Sequence, residues 1–460
     1  MTIPKPSAIV ATTVALLNLA SCTNEAKLPV SATMGPNPQL VQPDESLIPT
    51  ANIAPAIGWQ ASEAPIAAQN TQVAKFADEL DHPRWLYVLP NGDVLVAETN
   101  APKKPEGADD NGGIKQWFMK KLKQDAGAGV PSADRITLLR DRNADGVAEQ
   151  QFTLLENLHS PFGMALVDDT LYVANTDALV KFPYREGQTS ITDKPVKVID
   201  LPAGPLNRHW TKNLLASPDG SKLYVAIGSN SNIAENGFDK EVGRAAIWEL
   251  DIASGKRQIF AHGLRNPVGM TWVTPGNALW VAVNERDELG GDLVPDYMTS
   301  VEAGGFYGWP YSYYGQHLDE RVQQRQPELV TNAIVPDYAL GAHTASLGLV
   351  FSDGGTLPKN SAPGDEAVVP FGRGMFVGQH GSWNRDPLSG YRVIFVPFSG
   401  DKPNGKPIDV LTGFINERGE AKGRPVGVAI DKQGGLLVAD DVGNTIWRVI
   451  HSNRNNNNDS

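Results

Sequence analysis

Six times between residues 76 and 451, an apolar run of period two enters a turn and returns as a second apolar run. The copies span 84–97, 161–174, 214–226, 267–282, 347–378 and 425–439. Their turns carry Pro90-Asn91-Gly92, Asp168-Asp169, Pro218-Asp219-Gly220, Pro275-Gly276-Asn277, Gly354-Gly355 and Gln433-Gly434-Gly435. Five returning runs end in Val-Ala and the fifth copy ends in Val377-Gly378. Alternating apolar runs closed by turn residues predict β-hairpins. Further apolar runs follow several copies, at 178–183, 245–251, 391–398 and 445–450, which extends each unit to four strands. Units of about 40–50 residues with four strands predict a six-bladed, all-β propeller over 76–451. The excess length is expected in insertions at 101–150, 285–342 and 355–372. A β-sandwich would need the six units to be alike by coincidence.

Hairpin topology places the entry of each first strand and the exit of each second strand on one face. Their turns lie on the other. The turn face carries ordinary turn residues. The opposite mouth collects Arg84, His159, His209, Arg265-Asn266, His343 and Arg424 before first strands. After second strands it collects Glu98, Asn175, Ser229-Asn230, Asn284-Glu285-Arg286-Asp287, Gln379-His380 and Asp440-Asp441. Each alone reads as an ordinary half-buried polar residue. Sharing one phase across six repeats, they form a candidate binding site at a concave mouth. Arginines there suit a flat polyanion, since guanidinium groups bind carboxylates in pairs of hydrogen bonds. A histidine beside them is a candidate general base.

Composition narrows the chemistry. Forty Lys and Arg against 52 Asp and Glu give a net charge of -12, which argues against a nucleic-acid binder. With one cysteine among 460 residues there is no intrachain disulfide, zinc-finger cluster or CxxC redox site. Forty-five Gly and 34 Pro suit a turn-rich β protein rather than a helical bundle. No HExxH, Walker A or Rossmann glycine pattern is present.

Residues 1–22 read as a signal peptide. One charge, Lys5, precedes an apolar stretch from Ala8 to Ala20 that is too short to span a bilayer. It ends Leu19-Ala20-Ser21-Cys22, which resembles the bacterial lipoprotein cleavage box, so Cys22 is the expected lipidation site and mature N-terminus. Thr23 follows, with no Asp to signal inner-membrane retention, and the expected location is the periplasmic side of an outer membrane. Residues 23–75, rich in Pro, Ala, Ser, Thr and Asn, are expected to form a flexible tether, and 452–460 a disordered tail.

Three stretches carry a specific likeness. Gly263-Leu264-Arg265-Asn266-Pro267-Val268-Gly269-Met270, Asn284-Glu285-Arg286-Asp287-Glu288-Leu289-Gly290 and Gly304-Gly305-Phe306-Tyr307-Gly308-Trp309-Pro310 resemble the glucose/sorbosone dehydrogenase family, the second being closest to its sorbosone branch. The resemblance covers about residues 76–450. It implies a quinoprotein that uses pyrroloquinoline quinone (PQQ) and calcium on a six-bladed propeller to oxidise a sugar or sugar-derived aldehyde. His209 matches the general base and Arg265 the arginine beside the reactive quinone carbonyl. Asn266, Arg424 and Asp441 match cofactor contacts. The likeness also places His159, His343 and His380 around the site, and assigns the backbone carbonyls of Glu285, Arg286 and Asp287 to calcium. One departure is Arg208, where soluble glucose dehydrogenases carry an Asp before the base; another is Lys422, in the neighbourhood of a second cofactor arginine.

Asp141-Arg142-Asn143-Ala144-Asp145-Gly146 resembles the start of an EF-hand-type calcium loop. Phe152 stands where the twelfth-position Glu belongs, so a structural calcium at Asp141, Asn143 and Asp145 needs Glu149 as substitute; the alternative is a polar turn. The segment 114–123 before it reads as a short basic amphipathic helix in a surface insertion. Two other functions stay open: a propeller that only binds a ligand or protein, and a lactonase-type hydrolase. The latter would need a ring of Asp, Glu and Asn metal ligands at the mouth.

Overall fold

Each predicted hairpin forms the two innermost strands of one blade in the computed structural model, which describes residues 25–44, 50–103, 127, 129–354 and 371–452. Blade 1 comprises Pro83–Val88, Val94–Glu98, Arg135–Arg140 and Gln150–Leu155. Blade 2 comprises Met164–Val167, Thr170–Ala174, Ala178–Pro183 and Val196–Asp200. Blade 3 is built from Lys212–Ala216, Lys222–Ile227, Ala246–Asp251 and Arg257–His262. Blade 4 is built from Pro267–Val273, Ala278–Val283, Pro295–Ser300 and Tyr338–Ala342. Blade 5 contains Ser346–Asp353, Arg373–Gln379, Arg392–Ser399 and Ile408–Thr412. Blade 6 contains Pro425–Ile430, Leu436–Asp440 and Thr445–His451, and takes its outermost strand, Thr71–Ala77, from the other end of the chain. That antiparallel pairing, Thr71 opposite His451 and Ala77 opposite Ile446, closes the ring.

The Val-Ala signature has a packing cause. Second strands lie between neighbouring blades and are buried on both faces, so they read as continuous apolar runs rather than alternating ones. Val96, Ala97, Val173, Ala174, Val225, Ala226, Val281, Ala282, Val438 and Ala439 are all fully buried. First strands crowd the axis instead. A Cβ at Gly163 would stand 2.2 Å from the Leu214 nitrogen, and one at Gly348 2.2 Å from the Val426 carbonyl oxygen. These glycines let successive blades approach backbone to backbone.

Three expectations are corrected. The stretch 101–150 is not simply an insertion, because it contains the third strand of blade 1 and the first residue of the fourth. Likewise 285–342 contains the two outer strands of blade 4. Outer strands face solvent on one side, and Arg257–His262 is largely exposed, so their apolar signal is weak. Residues 23–75 do not behave as a tether over their described part. Met34–Gly35 adds an edge strand to blade 4, Ile66–Ala67 adds one to blade 5, and the propeller itself begins at Thr71. Cys22, the segments 114–123 and 355–370, and the tail beyond 452 lie outside the described residues. No helix among the described residues is long and apolar enough to cross a membrane.

Candidate active site

His209 sits in the loop that leads into the first strand of blade 3. Its Nδ1 lies 2.8 Å from the Ser229 carbonyl oxygen and 3.0 Å from Ser229 Oγ. That hydroxyl donates its own proton to the Ser231 carbonyl at 2.6 Å, so both oxygens accept from the ring. The imidazole proton is therefore on Nδ1, and Nε2 keeps its lone pair. Nε2 has no hydrogen-bond partner among the described residues. Burial pushes the His209 pKa well below its ordinary value, and the guanidinium groups of Arg265 and Arg208 push it further. Gly228 makes room for this arrangement, since a Cβ there would stand 2.2 Å from Asn266 Oδ1 and 2.5 Å from His209 Cβ. Beneath the loop, the buried Lys212 donates from Nζ to the Trp210 carbonyl at 3.1 Å.

Arg265 and Asp287 make the next wall. Arg265 donates to the Glu285 carbonyl at 2.6 Å, the Asn284 carbonyl at 3.2 Å and Asn232 Oδ1 at 2.8 Å, and pairs with Asp287 at 3.2 Å. Asn384 donates to the other Asp287 oxygen at 3.0 Å, while Arg208 approaches Asp287 at 3.7 Å and Glu235 at 3.3 Å. The three motifs singled out in the sequence meet around Asn232. It accepts from Arg265 and from the Asp287 N–H, and its carbonyl accepts from Trp309 Nε1 at 2.9 Å. Asn232 was missed in sequence because it lies three residues beyond Ser229, past the phase shared by the other mouth residues.

A second carboxylate, Asp441, lies between blades 5, 6 and 1. His380 Nε2 stands 2.9 Å away, Arg84 donates at 2.8 Å, and His82 lies at 3.5 Å. These neighbours hold the Asp441 carboxyl far below the usual range despite its burial. His380 is pushed down to about 4, chiefly by burial. Arg424 is buried next to them and has no carboxylate partner among the described residues. Its guanidinium donates to the Ala54 carbonyl at 3.2 Å and lies over the face of Tyr391 at 5.1 Å, and among the described residues its Nε–H is unpaired. Arg84 also has an unpaired Nε–H, and its guanidinium lies over Trp210, which follows His209, at 5.9 Å. Arg84 was placed at the mouth from its repeat position, but its pairing with Asp441 and the neighbouring His82 were not readable, because such contacts form between blades at opposite ends of the propeller sequence.

Other candidates fall elsewhere. His343 is buried behind Asp287, with Nε2 donating to the Gly290 carbonyl at 2.9 Å and Nδ1 3.8 Å from Asp287, beyond hydrogen-bond range, so it serves the loop backbone. His159 is exposed and pairs with Asp177 at 2.9 Å on the rim. The carbonyls of Glu285 and Asp287 do not stand free, since they accept from Arg265, and from Asn232 and Arg321. The Arg286 side chain is buried, tied to Glu285, Asp319 and the Pro310 carbonyl. Asp141, Asp145 and Glu149 cluster on the turn side of blade 1, where Asp141 accepts from Gly146 N–H and Asn143 from Asp145 N–H.

The profile of the TrAA12-like family matches residues 65–300 and 316–452. The chain belongs to the TrAA12-like family. Relatives of this family member include an uncharacterised protein of Borreliella burgdorferi, 28% identical over 376 residues, which are 79% of this chain and 90% of that one. A pyrroloquinoline quinone-dependent pyranose dehydrogenase of Coprinopsis cinerea is 25% identical over 305 residues, 52% of this chain but 39% of that longer protein. An aldose sugar dehydrogenase of Escherichia coli is 29% identical over 184 residues, 37% of this chain and 48% of that one. Among solved structures, the AA12 enzyme of Trichoderma reesei superposes with a TM-score of 0.66 at 18% identity, covering 86% of this chain and all of that one. The holo PQQ domain of the Coprinopsis pyranose dehydrogenase gives 0.65 at 18% identity, covering 85% and 98%. At such identity these superpositions speak for the six-bladed fold of the TrAA12-like chain.

Proposed function

We propose that this TrAA12-like protein oxidises a sugar, or a sugar-derived aldehyde of the sorbosone type, with pyrroloquinoline quinone as cofactor. The observation that carries the reading is a neutral histidine with a committed Nδ1–H and a free Nε2, set at a mouth where the buried Arg424 has no carboxylate partner among the described residues and the Nε–H groups of Arg424 and Arg84 are unpaired. The unpaired N–H groups of Arg424 and Arg84 fit a flat tricarboxylate, and both residues would hold its anionic edge. When bound, the quinone supplies a two-electron hydride acceptor. His209 Nε2 takes the proton from the hydroxyl at the sugar's oxidised carbon. Its Nδ1–H stays on Ser229, which fixes the ring plane during that transfer. Arg265, held on the 284–287 loop, places positive charge next to the base, keeping it unprotonated before substrate arrives.

Calcium belongs to the same proposal, with a changed ligand set. The Asp287 carbonyl already accepts two N–H donors, and the Glu285 carbonyl accepts from the Arg265 guanidinium, whose charge a cation there would face. Among the described residues, Asn266 Oδ1 and Glu285 Oε1 are buried oxygens without partners, each by itself the donor type calcium takes. We also propose that Cys22 is lipidated and that the protein sits on the periplasmic side of an outer membrane, a reading supported by the Leu19-Ala20-Ser21-Cys22 sequence.

The test is dye reduction by the purified protein loaded with PQQ across a panel of sugars and aldehydes. His209→Ala should lower kcat by roughly 10²–10⁴-fold with PQQ binding intact. Arg424→Ala should weaken PQQ binding first, and excess cofactor should partly restore the rate. Wild-type turnover in both variants, or a parent that neither binds PQQ nor reduces dye, would return the protein to the class of binding propellers.

A further inference from the structure

The segment expected to be a tether is pinned to the mouth within four residues of Cys22. The Ala26 N–H donates to the Asp386 carbonyl at 2.7 Å. The Lys27 and Leu28 N–H groups donate to Asp292 Oδ2 at 2.6 and 3.1 Å. Arg385 closes the clamp, donating to the Leu28 carbonyl at 2.7 Å and pairing with the buried Asp292 at 3.3 Å. A Cβ on Gly291 would meet Ala26 Cα at 3.2 Å, so the contact is backbone against backbone. Asp292 belongs to the loop that carries Asp287, and Arg385 and Asp386 to the loop that carries His380 and Asn384. Both loops leave second strands and lie on the mouth face.

Magnitudes decide what this does to a lipid anchor. A flexible linker of about 50 residues would have a root-mean-square reach of about 40 Å and would let the propeller tumble. Four residues, even fully extended, reach about 14 Å. The turn face lies a strand length farther away, about 20 Å for six residues.

We propose that the mouth face lies against the lipid surface, held there by the Cys22 lipid through the Ala26–Leu28 clamp. This rests on the lipidation reading and is independent of the sugar chemistry. It makes the bilayer surface the partner of the mouth. Substrates and electron acceptors reach the site through the gap between rim and lipid, which favours small molecules and acceptors that travel along the membrane.

The experiment uses the full-length protein in vesicles and three single substitutions, each carrying a thiol-reactive fluorophore. A lipidated Cys22 is a thioether and does not react. Leu206→Cys labels the mouth loop of blade 3, Lys432→Cys the turn face of blade 6, and Ile66→Cys the outer edge of blade 5; all three positions are exposed. Lipids with a nitroxide headgroup should quench the Leu206 label several-fold more than the other two. Inserting a Gly/Ser linker of about 30 residues between Thr23 and Asn24 should remove that difference while the protein still floats with vesicles. Equal quenching at the three sites, stronger quenching at Ile66 or Lys432, or a protein that does not float with vesicles would each overturn the proposal. None of these readouts uses turnover, so their failure leaves the dehydrogenase reading standing.

Discussion

A histidine whose Nδ1–H is already spent on a carbonyl can accept a proton only at Nε2, and burial beside two arginines keeps it from carrying that proton at rest. The sign of the pH dependence follows. A base with a lowered pKa is in its active form above that pKa and loses it as pH falls through it. The acid limb of kcat/KM should therefore lie below the ordinary histidine value of about 6.5, with a flat rate through neutrality. A pH–rate profile of the PQQ-loaded enzyme checks this, and a limb centred above 7 would mean that another group is the base. His209, Arg265, Asn266, Arg424 and Asp441 were legible in the sequence because each stands at the same phase of a repeat, and three motif stretches supported the phase. Asn232 was not legible, because its importance comes from what it touches across the fold.

The elements the sequence hid are those that use single residues to dock. Between 25 and 67 the buried positions Thr33, Met34, Gly35, Ala54 and Pro65 recur at no period, so no strand or helix pattern is legible. Even so, the segment crosses blades 4, 5 and 6, and it holds the Arg424 side of the mouth. Trp59 donates from Nε1 to the buried Asp440 at 2.7 Å and packs edge-on against Phe414 and Trp447. Ala54, five residues earlier, supplies the carbonyl on Arg424. Trp59→Ala should cost about 2–3 kcal/mol in urea unfolding, from a lost half-buried aromatic and one hydrogen bond fewer on a buried carboxylate that keeps Trp447 and the Arg424 and Gly443 N–H groups. It should also weaken PQQ binding while leaving kcat at saturating cofactor near the parent value. Unchanged cofactor affinity would show that the segment braces the fold without bracing Arg424. Outer strands escaped for the opposite reason, since their solvent faces dilute the period-two signal while the inner hairpins keep it.

At the scale of the whole molecule, the six blades form a ring whose closure depends on one pairing between chain ends. The register from Thr71↔His451 to Ala77↔Ile446 joins positions as much as 380 residues apart. Deleting residues 445–460 should leave Thr71–Ala77 as an open edge, which templates association with other chains. Gel filtration should then show aggregates, and limited proteolysis should cut within the blades. A truncated protein that stays monomeric and protease-resistant would show that five closed blades suffice. The same pairing sets an order of events on the ribosome. The first strand of the six blades to be made waits for the last, roughly 20–75 s at ordinary rates of synthesis. Until then the ring cannot lock, and the nascent chain keeps the open form that the proposed export across a membrane would need.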